Sequence, residues 1–297
     1  MPFNFWSRLR MTLDMIKFEH SVFALPFALT AAMLAVREGA AEGSLLWKLF
    51  WIILAMVGAR SAAMAFNRVL DAEIDARNPR TRSRHLPAGL LSRRFAWGFI
   101  AVSATVFAVS AAALNPLCLK LAPAALAWIF FYSFAKRFTS FSHVILGLSL
   151  GIAPAAAWIA MTGALDLRIL WLTAAVTLWT AGFDIIYACQ DYDFDCRENL
   201  HSLPKRLGIG GALWAARFFH LAMVACLAML AQQFRLGSLS AAGIALVAAL
   251  LVYEHWLVKP HDLSKVNAAF FTVNGYVSMA FFVFWVADMF VISRGGA

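Results

Sequence analysis

Charge is scarce in this chain. Only 14% of its 297 residues are Asp, Glu, Lys or Arg, whereas 62% are hydrophobic and mean hydropathy is +0.74. A soluble domain of this size cannot bury that much apolar surface, so a soluble class is excluded and an integral membrane protein remains. The apolar runs lack the strict alternation of a transmembrane β-barrel. Cysteine is rare as well. Cys118, Cys189, Cys196 and Cys226 are scattered without metal-ligand spacing, and no histidine completes a zinc set around Cys189 and Cys196. They read as small buried side chains. Neither a composition break nor a linker interrupts the sequence, so residues 1–297 are expected to form a single membrane domain.

What is present is a series of long apolar runs, at 20–36, 45–66, 95–114, 117–135, 141–162, 168–190, 212–232, 238–257 and 267–292. Each approaches the roughly 20 residues that span the hydrocarbon core. The expected fold is an all-α integral membrane protein with nine transmembrane helices around a central cavity. The first run follows Arg8, Arg10 and Lys17 like a signal sequence, but Glu19, His20 and Pro26 interrupt it, so it reads as a retained helix. The net charge of +9 is a matter of topology rather than nucleic-acid binding. Arg68, Arg77, Arg80, Arg82, Arg84, Arg93, Lys136, Arg137, Arg197, Lys205 and Lys259 fall on the side of the N-terminus, against only Arg37, Lys48, Lys120, Arg168, Arg235 and Arg294 on the other. The positive-inside rule then places the N-terminus and both polar loops, near 67–94 and 184–211, on the cytoplasmic side of the inner (cytoplasmic) membrane, with the C-terminus outside.

The few acidic residues are concentrated where apolar runs end. Asn67, Asp71 and Asp75 are four apart and share one helix face; Asp184, Tyr187, Asp191 and Asp195 form a second stripe. Carboxylates gathered beside a bilayer need a positive partner, and Mg²⁺, a hard cation that keeps phosphates as ligands, suits Asn67, Asp71, Asp75, Asp191 and Asp195. Isolated pairs of this spacing are also found as solvated helix ends paired with arginine, but two pairs on one side of the membrane favour the metal. Arg68, Arg80, Arg82, Arg84, Lys136, Arg137, Lys205 and Arg206 then read as ligands of a diphosphate. If that diphosphate is allylic, its departure leaves a carbocation for an electron-rich acceptor to capture. Arg60, seven residues before Asn67 and inside a span, either clamps an acceptor carboxylate or serves structurally, in an ion pair or bonded to carbonyls. Tyr132 reaches a ligand together with Lys136 or anchors the interface. Glu19 and His20 either line the expected pocket or are merely interfacial, and Asn267 and Asn274 share a face suited to interhelical hydrogen bonds.

The motifs Asn67-x-x-x-Asp71-x-x-x-Asp75, Tyr187-x-x-x-Asp191-x-x-x-Asp195 and Tyr132-Ser-Phe-Ala-Lys136-Arg137 resemble those of the UbiA superfamily of intramembrane aromatic prenyltransferases. The resemblance extends over almost the whole chain. It implies Mg²⁺ and a polyprenyl diphosphate at both motifs, catalytic roles for Asn67, Asp71 and Asp191, and an aromatic carboxylate acceptor on Arg60. Tyr132, Lys136, Arg137, Tyr187, Arg68 and Arg82 complete the expected substrate-binding set, and the ring proton is expected to leave to Asp191 or to the released diphosphate. The segments 16–26, 187–195 and 200–208 look closest to the 4-hydroxybenzoate polyprenyltransferase-like branch. Within it, Asn67-Arg68 and Gln190-Asp191 resemble the menaquinone enzymes that use 1,4-dihydroxy-6-naphthoate more than the ubiquinone enzymes. A membrane transporter using Arg60 and the acidic helix ends is the rival from another class, and a porphyrin-prenylating relative is a rival of the same fold. A CDP-alcohol phosphotransferase is disfavoured because its Asp-Gly and Ala-Arg elements are missing. Chain length and oligomeric state leave no mark on the sequence.

Overall fold

The computed structural model describes residues 5–16 and 23–295, with side chains for 10–16 and 23–290. Glu19 and His20 lie outside the described residues. The helices are α1 (Phe5–Met15), α2 (Leu25–Arg37), α3 (Leu45–Leu70), α4 (Ala72–Arg77), α5 (Arg93–Leu114), α6 (Pro116–Ala135), α7 (Ser142–Thr162), α8 (Leu170–Ala188), α9 (Tyr192–Arg197), α10 (Leu203–Gln233), α11 (Ser238–Leu257) and α12 (Asn274–Gly295). Among the described residues no sheet forms, only one isolated bridge between Lys259 and Asp262. Among the described residues, eight helical segments are long and apolar enough to cross a membrane. Where the sequence predicts a first span over 20–36, the structure shows the 13-residue α2, about 20 Å long and short of a bilayer core.

The all-helical expectation holds, and the helix surfaces agree with a lipid environment. Trp47, Trp214, Phe218, Leu221, Val252 and Trp256 are all more than half exposed, far more apolar surface than a water-soluble monomer displays. The helix ends carry local stop and start signals. Asn115 accepts a hydrogen bond from the Cys118 amide and is followed by Pro116 at the first position of α6. Gly163 closes α7 at φ +75°, a conformation that strains any side chain. The second polar loop is shorter than the sequence suggests. Ser202 caps α10 and Pro204 sits in its first turn, so the helix begins at Leu203 rather than near 212, with a kink at Gly208 (φ +69°).

Short α2 is the centre of the bundle: Phe27, Ala28, Ala31, Leu34 and Ala35 are completely buried. Phe27 stacks on Phe281 at 4.7 Å and meets Trp179 at 5.0 Å. Small residues bring helices close, as expected where lipid supplies no hydrophobic drive between them. A side chain at Gly147 or Gly151 would collide with the backbone or side chain of Thr177 on α8.

A buried polar network joins α8, α11 and α12. The Asn274 amide donates to Glu254 Oε1 at 2.8 Å, and its Oδ1 accepts from Trp179 Nε1 at 2.7 Å. The same amide satisfies the carbonyls of Ala269 and Phe270, which a π turn over Ala268–Val273 leaves available. That turn breaks the seven-residue register, so Asn267 is exposed and does not share the role of Asn274. Asn274→Ala orphans the Trp179 donor and the Glu254 acceptor together. We expect it to destabilise the fold by about 2–3 kcal/mol, read as a drop of several degrees in the thermal midpoint in detergent.

Candidate functional site

The polar ends of α3, α6 and α8 converge on a cavity of about 570 Å³. Its lining includes Arg60, Asn67, Arg68, Asp71, Asp75, Arg80, Arg84, Tyr132, Lys136, Arg137, Asp184, Tyr187, Asp191 and Asp195. Both acidic segments therefore face one space. Each begins in a membrane helix and continues into a short helix: α3 passes into α4 at Asp71, and α8 passes through a tight turn at 189–191 into α9. Carboxylates one turn apart along these junctions share the cavity side.

The loop after the first segment crosses to the second. The guanidinium of Arg80 forks onto Asp191, with Nε 2.9 Å from Oδ1 and Nη2 2.5 Å from Oδ2, while Nη1 donates to the Tyr187 hydroxyl at 3.0 Å. Asn78 adds a third donor to Asp191 at 3.1 Å, and Arg77 pairs with Glu198 at 2.9 Å. On the first segment, Asn67 donates to Asp71 at 3.0 Å, Arg137 donates to Asp71 at 3.1 Å and to the Leu70 carbonyl at 3.0 Å, and Arg84 reaches both Asp75 oxygens at 2.7 and 2.8 Å. The four carboxylates thus line one cavity, and three of them already hold an arginine as positive partner. Among the described residues, no three acidic, histidine or cysteine side chains form a ready-made metal cluster. Like charges repel, and Arg137, Arg84 and Arg80 each neutralise one of them.

The donor set nevertheless fits a hard divalent cation. Every candidate atom is oxygen, from Asn67, Asp71, Asp75, Asp191 and Asp195, and one is unsatisfied: Asp195 is 1% exposed, yet its Oδ2 has no hydrogen-bond partner. The electrostatics agree. Burial pushes the Asp71 carboxyl above its usual range despite the opposing Arg137. Burial alone would lower the Lys136 ammonium, but Asp195, Asp191, Asp184 and Asp71 outweigh it and hold Lys136 above its ordinary value. Lys136 is thus a fixed positive charge amid the acids. Burial opposes the charge of Arg80 too, and Asp191 more than restores it.

Not every expected residue joins the cavity. Arg82 is exposed and outside the lining, because the turns of 78–84 direct Arg80 and Arg84 inward and leave Arg82 on the opposite side. Lys205 turns back onto Asn199 at 2.7 Å, and Arg206 is exposed. Arg60 makes no ion pair among the described residues, and its Nε is buried without a partner, which speaks against a structural pair. It lies where the polar cavity adjoins a second one of about 260 Å³, lined by Ile52, Met56, Phe107, Leu121, Ala125, Ile129 and other mostly apolar groups of α3, α5, α6 and α7. Asn67 and Tyr132 also border both. The sequence reading missed Asn78 and His143. Asn78 had a usable signal, one turn beyond Asp75; His143 had none, since its partner Asp184 is 41 residues away.

The model of the UbiA prenyltransferase family matches residues 24–285. A 4-hydroxybenzoate octaprenyltransferase of Vibrio atlanticus (strain LGP32) is 32% identical over 238 residues, covering 78% of this chain and 83% of that protein. The apo structure of a UbiA homolog from Aeropyrum pernix K1 aligns with a TM-score of 0.81 at 33% identity, over 93% of this chain and 98% of that one. A UbiA homolog from Archaeoglobus fulgidus, bound to DMAPP and Mg²⁺, shares the fold with a TM-score of 0.72 at 19% identity, over 94% and 99% of the two chains.

Proposed function

The chain belongs to the UbiA prenyltransferase family, and on that premise we propose that it transfers a polyprenyl group from a polyprenyl diphosphate to a ring carbon of an aromatic carboxylic acid. The observation that carries this reading is the one cavity in which both acidic segments, Lys136 and the unpaired Arg60 meet, with an apolar cavity beside it. Asn67, Asp71, Asp75, Asp191 and Asp195 are assigned to Mg²⁺, which when bound neutralises a diphosphate and makes it a better leaving group. Arg80, Arg84, Lys136 and Arg137 bind the diphosphate oxygens, and the hydroxyl of Tyr187 steadies Arg80. The prenyl tail takes the apolar cavity. Arg60, at the junction, orients the acceptor carboxylate so that the ring faces the allylic carbon. We count α2 as a ninth span and place the cavity mouth on the cytoplasmic side of the inner membrane, following the basic residues around it.

The names of the relatives favour 4-hydroxybenzoate as acceptor over the naphthoate that the sequence reading preferred. Asn67-Arg68 and Gln190-Asp191 keep 1,4-dihydroxy-6-naphthoate as a second reading. Offering each acid, and the amide of each, to purified protein with geranyl diphosphate separates the cases. A carboxylate clamp predicts turnover of one acid and at least a tenfold loss of kcat/KM for its amide. Equal turnover of acid and amide would remove Arg60 from this role.

A further inference from the structure

Asp184 lies in the same cavity but is taken up by none of the arginines. Its Oδ2 accepts from His143 Nδ1 at 2.7 Å, and among the described residues no hydrogen bond engages its Oδ1. His143 is fully buried, and its Nε2 faces the Leu203 amide at 3.3 Å. A backbone N–H can only donate, so Nε2 is an acceptor and the ring proton sits on Nδ1, aimed at Asp184. These two contacts hold the ring in one orientation. It fixes one carboxylate oxygen and leaves the other to the cavity.

Depth sets Asp184 apart from the other acids. It stands seven residues inward from Asp191 on α8, as Arg60 stands seven inward from Asn67 on α3, so each lies about 10 Å below the acidic rim. Asp191 carries three hydrogen bonds from Arg80 and Asn78, which occupy both of its oxygens. Asp184 carries one.

We propose that Asp184 is the catalytic base that removes the ring proton of the acceptor, with His143 as its positioning residue. The assignment rests on the prenyl-transfer reading above. In that reaction the allylic C–O bond breaks and its electron pair leaves with the diphosphate. A ring carbon flanking the hydroxyl then donates a pair to the allylic carbon. The C–H bond at that ring carbon breaks, its electrons restore aromaticity, and the proton passes to Asp184 Oδ1. Asp191, one of the two proton acceptors expected from the sequence beside the released diphosphate, keeps its place at the diphosphate.

The test uses the full-length protein in lipid with Mg²⁺, geranyl diphosphate and the preferred acid, either normal or deuterated at the ring carbons beside its hydroxyl. In the wild type, proton loss follows slow ionisation and no primary isotope effect is expected. Asp184→Asn, isosteric and still able to accept from His143, should lower kcat about a hundredfold and expose a primary isotope effect. Its thermal stabilisation by Mg²⁺ and geranyl diphosphate should match the wild type, showing an intact fold and diphosphate site. His143→Gln should lower kcat about tenfold, with both KM values unchanged. Turnover of Asp184→Asn within a few-fold of wild type, a loss without an enlarged isotope effect, or a loss accompanied by weaker diphosphate binding would each overturn the assignment. A wild type that forms no prenylated acid overturns the transfer reading itself, and this assignment with it.

Discussion

Asp191→Ala should reduce prenyl transfer at least a thousandfold while leaving the protein folded. The size follows from what this carboxylate holds together. It is the anchor for Arg80 and Asn78 from the opposite acidic segment, and through Arg80 it is linked to the Tyr187 hydroxyl. Its removal takes away an assigned metal oxygen and frees the guanidinium that joins the two segments. Interactions aimed at a departing anion in a dry site are commonly worth about 3–4 kcal/mol each, and here two are lost at once. Asp71→Ala should have an effect of the same order, because Asn67 and Arg137 both converge on it. The check is product formation by mass, beside a thermal midpoint to confirm folding. Near-normal turnover in both variants would end the assignment of these carboxylates to metal and diphosphate.

Arg60→Ala should act on the other substrate. A buried guanidinium without a partner among the described residues is costly to keep in a membrane helix, and an anionic ligand repays that cost. Losing a charge-assisted, two-pronged contact with a carboxylate removes about 3 kcal/mol, which is about a hundredfold in acceptor KM. The affinity for prenyl diphosphate, held about two helical turns nearer the rim, should stay within a few-fold. Arg60→Lys keeps the charge but not the fork and should recover only part of the loss. Stability of the Ala variant should rise or stay level, since an unsatisfied buried charge is gone. A parallel loss of diphosphate binding, with acceptor KM unchanged, would move Arg60 from the acceptor to the metal end.

Much of this was legible in the sequence, for definable reasons. Helix-crossing segments are long and apolar, so eight of the nine expected spans, with most of their rough limits, survive among the described residues. Residues that share a face through regular helix, such as Asn67 with Asp71 or Tyr132 with Lys136, also line the cavity as expected. Irregular backbone is where the reading weakens. The π turn before Asn274 shifts the register and separates it from Asn267, and no local pattern announces it. The start of α10 was obscured by Pro204 and Gly208, which mark loops elsewhere but here form a first turn and a kink. The basic residues of the first loop could be listed but not sorted, because whether Arg80, Arg82 or Arg84 faces inward depends on turn geometry. Pairs distant in sequence, His143 with Asp184 and Asn78 with Asp191, exist only through packing.

The most direct measurement is the mass of the product formed by purified protein in lipid, given Mg²⁺, geranyl diphosphate and either 4-hydroxybenzoate or 1,4-dihydroxy-6-naphthoate. The two acidic segments around one cavity predict a single prenyl group added to carbon on one of these acids, with formation abolished by EDTA and restored by Mg²⁺. Product that forms undiminished in EDTA would contradict the role of the carboxylates. No product from either acid, with solute moving across the membrane instead, would contradict prenyl transfer and return the acidic helix ends to ion coupling.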